Sequence, residues 1–173
     1  MPGSPVNTEF EGRVFEHPEE FEVSAESIKD FARATGATQE SHPAHFDASR
    51  AADLGYDGLV APPTYPVIIA QRAERNYIAD PEAGIDFSRV VHGSERFTYT
   101  RPLVAGDRVR ASTLVESIRQ VGGHAMITTR TSIVDAGAGA GAEAGTGVGT
   151  EAGAGNGEEI VAVTSSIVVR GEE

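Results

Sequence analysis

The segment at residues 36–47, GATQESHPAHFD, places an acidic side chain five residues before a histidine. The acid is Glu40, the histidine is His45, and Pro43 lies between them. A carboxylate beside an imidazole can act as a general acid and base, because one group holds a water molecule while the other moves a proton. The spacing alone is equally compatible with a solvated Glu40 and a His45 ring packed on an aromatic neighbour.

Helices are predicted on both sides of this segment, which makes the segment a loop. Ser24 precedes an amphipathic stretch at 25–35 and is a favoured N-cap residue, while Gly36 is a favoured stop. Asp47 can cap a second helix over 48–54 by accepting a backbone N–H. Reactive groups are often carried by loops of this kind on a rigid scaffold.

A third helix is predicted to begin at Pro63 or Thr64 and to continue to about Ile78. Its first turns are apolar across most of their width. A helix of this kind is buried rather than laid on the surface. We therefore expect it to form the centre of the core.

The second half of the chain consists of stretches rich in β-branched residues, which are typical of strands. They occupy 90–101, 108–120, 124–134 and 160–170. A further short strand near 21–23 would give a sheet of about five strands. Glycine and alanine make up most of the segment at 136–157. It is predicted to be a flexible loop inserted in a hairpin, because its apolar surface is too small to offset the entropy lost on ordering.

Helices followed by consecutive antiparallel strands predict an α+β fold, in which the sheet wraps around a buried helix. The length of 173 residues fits one domain over 1–173. The net charge of −12 and the scattered basic residues argue against nucleic-acid binding. The chain has no cysteine, no signal-peptide pattern and no apolar run long enough to cross a membrane, so we expect a cytoplasmic protein.

The loop resembles the catalytic segment of MaoC-like hydratases and dehydratases, which have the hot dog fold. Those proteins carry the pattern Asp-x-Asn-Pro-x-His, commonly followed by x-Asp. In this chain Glu40 falls on the Asp position, His42 on the Asn, Pro43 on the Pro and His45 on the His, and Asp47 matches the trailing Asp.

The resemblance extends over nearly the whole chain outside the glycine and alanine tract. Residues 51–61 (AADLGYDGLVA) resemble the segment that leads to the central helix of the family, and 99–107 (YTRPLVAGD) resemble its Arg-Pro-x-x-x-Gly-Asp turn. Residues 86–95 (DFSRVVHGSE) resemble the actinobacterial subgroup related to the HadA subunit of mycolic-acid dehydratase. The fold that this implies is a single hot dog domain.

Three positions depart from the family pattern. Glu40 replaces the aspartate and is one methylene longer. Pro62 and Pro63 stand where the family often has His-Gly, and proline has no N–H to offer to a substrate carbonyl. HadA-like chains share the Ala-Pro opening but tend to lack the catalytic histidine, whereas this chain keeps His45.

The resemblance implies reversible hydration of an acyl thioester, with His45 and Glu40 as the catalytic pair. The backbone N–H of Thr64 is the nearest replacement donor for the thioester carbonyl. No metal or redox cofactor is implied. The residues expected to contact the substrate are His42, Tyr65, Ile68, Ile69 and His92.

The activity implied is that of an (R)-specific enoyl thioester hydratase or (3R)-hydroxyacyl thioester dehydratase in fatty-acyl metabolism. Pro62, Pro63 and the Glu40 substitution favour an alternative, a non-catalytic HadA-like subunit that binds acyl chains and stabilises a catalytic hot dog partner. A stand-alone acyl-binding domain and a thioesterase have less support. The implied partners are an acyl-CoA or acyl-carrier-protein thioester, and either a second copy of the chain or a MaoC-like catalytic subunit.

Overall fold

The computed structural model of the chain describes residues 6–137 and 157–171. These residues form three α-helices and a sheet of six antiparallel strands. The helices are α1 (Ala25–Ala34), α2 (Ala48–Asp53) and α3 (Val67–Ile78). The strands are β1 (Val14–Glu16), β2 (Phe21–Glu22), β3 (Val90–Tyr99), β4 (Arg108–Val121), β5 (His124–Asp135) and β6 (Glu159–Val169). The predicted α+β class is confirmed.

The sheet runs in the order β1-β4-β5-β6-β3, with β2 also paired to β4. The sequence predicted about five strands and missed β1, because three residues are too few to show an alternating pattern. The consecutive antiparallel strands predicted from the sequence would place β3 beside β4. Instead β3 pairs with β6 at one edge of the sheet, and β4 lies in the interior.

Two predicted hairpins position the long strands. Gly122 and Gly123 join β4 to β5 with φ of +58° and +84°, the left-handed conformations that a two-residue hairpin turn requires. The strands on either side of the glycine and alanine tract, β5 and β6, are antiparallel neighbours. Most of the predicted flexible loop, residues 138–156, lies outside the described residues.

Helix α3 is the central helix, and the sheet packs along it. Ile69 and Ala73 of α3 share one apolar cluster with Val109, Ile133 and Val163 of the sheet, all nearly inaccessible to solvent. Among the helices that the structure describes, α3 included, none is both long enough and apolar enough to cross a membrane.

The central helix begins later than the sequence predicted. It starts at Val67, and residues 62–66 form consecutive turns, with the N–H of Tyr65 bonded to the carbonyl of Pro62. The cause is Pro66, which has no N–H and so cannot form the helical hydrogen bond to the carbonyl of Pro62. The prediction of a start at Pro63 or Thr64 was therefore wrong by about one turn.

The two predicted caps are confirmed. The Ser24 side chain accepts a hydrogen bond from the Ser27 N–H at the start of α1. The Asp47 side chain accepts one from the Ser49 N–H at the start of α2, at 2.8 Å. The Asp47 cap fixes the end of the loop that carries His45, whereas the Ser24 cap fixes the far end of α1.

Candidate functional site

His45 lies at the end of a short 3-10 turn, Pro43–His45, between α1 and α2. The carbonyl of Pro43 accepts the N–H groups of Phe46 and Asp47, each at 2.9 Å, and this closes the turn. The Nδ1 atom of His45 lies 2.7 Å from the carbonyl oxygen of Val60. A carbonyl only accepts hydrogen bonds, so Nδ1 carries a proton, and Nε2 of the neutral imidazole keeps a lone pair.

The carbonyl that orients His45 belongs to an anchored segment. Val60 forms an isolated antiparallel bridge with Val104. On either side, the Ala61 N–H donates to the carbonyl of Leu103 at 2.8 Å, and the Ala105 N–H donates to the carbonyl of Leu59 at 2.9 Å. The imidazole is therefore oriented by a backbone segment tied to the turn between β3 and β4.

Gly58 allows the segment that contains Val60 to lie close to the turn between β3 and β4. A Cβ atom at position 58 would lie 2.8 Å from the carbonyl oxygen of Ala105, so a larger residue would push the two segments apart. The two stretches that resemble the family, 51–61 and 99–107, are thus in direct contact. Their resemblance reflects one shared packing arrangement.

A cavity of about 500 Å³ opens beside His45. Its lining is largely apolar and is formed by His42, Pro43, Ala44, His45, Arg50, Asp53, Leu54, Tyr56 and Val60. The His42 ring stacks on the His45 ring, with 5.7 Å between ring centroids and 11° between planes. An apolar cavity with a few polar groups at one end is the usual form of a small-molecule site.

Glu40, the predicted acid, lies outside this lining. It is exposed, in a turn held by hydrogen bonds between Thr38 and Ser41. Among the residues that line the cavity, the carboxylate belongs to Asp53. Its Oδ2 atom lies 3.6 Å from Nη1 of Arg50. The structure does not bring Glu40 and His45 into contact.

Thr64 is exposed in the turns that precede α3, and its backbone N–H donates to no acceptor among residues 6–137 and 157–171. Tyr65, in contrast, is 4% exposed, and its hydroxyl lies 2.7 Å from the Ser27 hydroxyl. Ile69 is buried and Ile68 is partly buried in the same core. The structure places these three apolar side chains in the core and outside the lining of the cavity at His45.

The remaining predicted site residue, His92, is on β3 and also lies outside the cavity. Its Nδ1 atom is 3.3 Å from Glu95 Oε1, and its side chain is 40% exposed. Asp47 acts as a helix cap, and its hydrogen bonds with Ser49 lower the pKa of its carboxyl. Within the described ranges, no group of three or more histidine, aspartate or glutamate side chains is arranged to hold a metal ion.

Sequence reasoning missed several groups at the cavity. The Val60 carbonyl has no signature in the sequence, because every residue has a carbonyl. Arg50, Leu54 and Tyr56 were overlooked as lining residues, although they fall within or beside the stretch that resembles the family. The only signal was their closeness in the sequence to His45.

The antiparallel sheet wraps around a central helix, and an oriented imidazole lines an apolar cavity. These features define the class of hot dog dehydratases and hydratases. The family described as "FAS1-like, dehydratase domain region" matches residues 9–139. A UPF0336 protein of Leifsonia xyli is 41% identical over 98% of this chain and 99% of its own length. The chain belongs to this UPF0336 family of FAS1-like dehydratase-region proteins.

Solved structures agree with this assignment. The C-terminally truncated HadBC complex of Mycobacterium tuberculosis, a (3R)-hydroxyacyl-ACP dehydratase, matches 90% of this chain and 93% of its own chain, with a TM-score of 0.71 and 26% identity. A MaoC-like dehydratase matches with a TM-score of 0.73 and 27% identity, over 93% of this chain and 42% of its own. The resemblance to MaoC-like proteins and the hot dog fold are therefore confirmed.

Proposed function

We propose that the chain is an (R)-specific enoyl thioester hydratase or (3R)-hydroxyacyl thioester dehydratase of fatty-acyl metabolism. The observation that carries this proposal is the His45 imidazole, held by the Val60 carbonyl with Nε2 available as a base beside an apolar cavity. The HadBC structure that the chain resembles is named as a dehydratase of 3R-hydroxyacyl chains, which supports the same class of substrate.

In the dehydration direction, Nε2 of His45 takes the proton from C2 of the hydroxyacyl thioester. The electron pair of that C–H bond forms the C2–C3 double bond, and the C3–O bond breaks. The hydroxyl leaves as water after accepting a proton. A positioned base of this kind contributes roughly 10²–10⁴-fold to the rate.

Two further groups have proposed roles in this reaction. Glu40 orients the leaving hydroxyl, which accepts the proton that His45 took from C2 and leaves as water. This role requires the Glu40 turn to move toward the cavity when substrate binds. The Thr64 N–H polarises the thioester carbonyl, and its lack of an acceptor in the described part of the chain supports that role. His42, Tyr65, Ile68, Ile69 and His92 remain proposed substrate contacts.

The position of Glu40 favours a second candidate function, that of a HadA-like subunit that binds the acyl chain beside a catalytic hot dog partner. Glu40 is exposed and outside the cavity lining, so the chain alone presents a base without an adjacent acid. In that case the partner subunit would supply the acid.

We propose that the partner, a second copy or a MaoC-like catalytic subunit, pairs with the β3 edge of the sheet. In the described sheet β3 pairs on one side only, with β6. Phe87 and Val91 are 71% and 43% exposed at the start of this edge. An unpaired edge strand with exposed apolar side chains is a template for pairing with another chain.

The absence of cysteine supports a cytoplasmic location.

The experiment is hydration of a short and a long trans-2-enoyl-CoA by the purified chain, its His45→Ala variant and a His124→Ala control. His124 is an exposed histidine at the start of β5, away from the cavity lining. We expect turnover to fall by roughly 10²-fold or more in His45→Ala and to persist in His124→Ala. Equal turnover in both variants contradicts the role of His45, and inactivity of the wild-type chain on both substrates favours the partner-dependent subunit.

A further inference from the structure

Glu74 is a fully buried glutamate on the central helix, outside the cavity at His45. Its exposed fraction is 0%, and it follows Ala73 on the buried side of α3. A buried carboxylate requires charged or hydrogen-bonding partners, because an unpaired buried charge is far less stable than a neutral acid. The partners of Glu74 therefore indicate its protonation state.

Hydroxyl groups from two strands meet the Glu74 carboxyl. Thr129 of β5 donates from Oγ1 to Glu74 Oε1 at 2.6 Å. Ser165 of β6 donates from Oγ to Glu95 Oε2 at 3.0 Å, and the same hydroxyl is near enough to the Glu74 carboxyl to lower its pKa. Glu74 Oε2 is buried and has no hydrogen-bond partner among the described residues.

A hydroxyl has one proton to donate. The Ser165 proton is used on Glu95, and the Thr129 proton is used on Glu74 Oε1. Glu74 Oε2 therefore receives no proton from either hydroxyl, and a buried oxygen without a donor is far less costly on a neutral acid than on a carboxylate. We propose that Glu74 is an interior proton-binding site, in which the proton resides on Oε2 beside the hydrogen-bonded pair of Ser165 and Glu95.

The electrostatic surroundings agree with this assignment. Burial raises the pKa of the Glu74 carboxyl above its usual value, and the charge of Glu95 raises it further. The hydrogen bond from Thr129, the nearby Ser165 hydroxyl and the charge of His92 act in the opposite direction. Strands β5 and β6 face Glu74 with the neutral Thr129 and Ser165, so the charged groups acting on it come from β3.

The proton-binding site leads to the surface. Glu95 is one-fifth exposed, and its Oε1 atom lies 3.3 Å from Nδ1 of His92, which is 40% exposed on β3. The register of β3 against β6 shifts between His92 and Ser94, so the Glu95 contacts lie just beyond a bulge. Polar side chains therefore extend from Glu74 in the core to His92 on the edge strand of the sheet.

The first test is infrared spectroscopy of the intact chain at neutral pH. The exposed carboxyl groups are ionised there, so the carbonyl band of a protonated carboxylic acid reports a buried neutral acid. We expect this band in the wild type, its loss in Glu74→Gln, and its retention in Glu26→Gln. Glu26 is the matched control, a helical glutamate with a 75% exposed side chain. Absence of the band in the wild type overturns the proposal.

The second test separates Glu74 from Glu95 as the residue that holds the proton. Glu95→Gln is expected to keep the band, and loss of the band in Glu95→Gln but not in Glu74→Gln overturns the assignment. Both readouts are independent of hydratase activity, so failure of this proposal is distinct from failure of the proposed function.

The third test uses the pH dependence of stability. A folded-state pKa above the unfolded value means that the folded state binds the proton more tightly, so stability falls as pH rises from about 4.5 toward the folded pKa. Glu74→Gln is expected to lose this dependence, because the amide can still accept from Thr129 and does not ionise. A Glu74→Gln variant that is less stable than the wild type at about pH 8 contradicts a neutral Glu74.

Discussion

Arg101 and Asp107 are joined by two side-by-side hydrogen bonds, from Nη1 to Oδ2 at 2.8 Å and from Nη2 to Oδ1 at 3.0 Å. Asp107 Oδ2 also accepts the N–H of Val104 at 2.8 Å. The structure shows a structural role, in which the guanidinium closes the turn between β3 and β4 and its pKa is raised chiefly by Asp107.

This turn is physically continuous with the candidate site. Val104, whose N–H is held by Asp107, forms the bridge to Val60, and the Val60 carbonyl orients His45. The Arg-Pro…Gly-Asp pattern is therefore two contacts away from the imidazole. Its role is to hold the backbone that fixes the imidazole's orientation.

Asp107→Asn is expected to destabilise the protein by about 1–3 kcal/mol, because it weakens charge-assisted hydrogen bonds to a carboxylate that is only 13% exposed. The matched control is Asp30→Asn, which removes an Asp–Arg pair with a 74% exposed aspartate and should cost about 1 kcal/mol or less. Urea unfolding midpoints measure both. Equal effects of the two variants would contradict a special role for the Asp107 turn.

Tyr65 and Ser27 are expected to be energetically coupled through their 2.7 Å hydrogen bond. Tyr65→Phe and Ser27→Ala should each cost about 1 kcal/mol, since each leaves a partly buried hydroxyl without its partner. The double variant should cost less than the sum of the two, by roughly 0.5–1.5 kcal/mol. A double-mutant cycle in urea measures this coupling, and strict additivity would show that the contact contributes nothing.

Ile133 is expected to be among the most sensitive apolar positions, because it is 0% exposed in the cluster that joins β5 to the central helix. Ile133→Ala should lower the free energy of unfolding by about 2–5 kcal/mol, through lost burial and the cavity left behind. Val121→Ala, at a side chain that is 54% exposed, should change it by about 0.5 kcal/mol or less. Thermal or urea unfolding distinguishes the two, and similar losses would contradict this placement of the core.

His17 is expected to make the protein less stable in mild acid. Burial lowers the pKa of its imidazole below the ordinary value of 6.5, as does the charge of Arg72, while Glu19 opposes the shift. As pH falls through about 6.5 the unfolded chain takes up this proton first, so stability falls with pH. His17→Gln should remove the contribution of His17 to the loss of unfolding free energy between about pH 7.5 and 5.5. Urea unfolding at each pH measures this free energy. An unchanged pH response in the variant would contradict the prediction.

The features that the sequence predicted correctly depend on neighbouring residues. Ser24 and Asp47 cap helices because their side chains reach N–H groups two or three residues away. Gly122 and Gly123 make a hairpin because their own φ values allow it. Even the late start of α3 has a local cause, since Pro66 lacks the N–H that a helix beginning at Pro63 or Thr64 would need at that position.

The tertiary structure alone decided three matters. It placed β3 beside β6, because strand order depends on pairings between residues far apart in the chain. It turned His45 toward the Val60 carbonyl while leaving Glu40 in solvent, since side-chain direction depends on which segments pack together. It also enclosed Glu74 among strand hydroxyls, whereas a single glutamate in a helix has no local pattern that distinguishes a buried position from an exposed one.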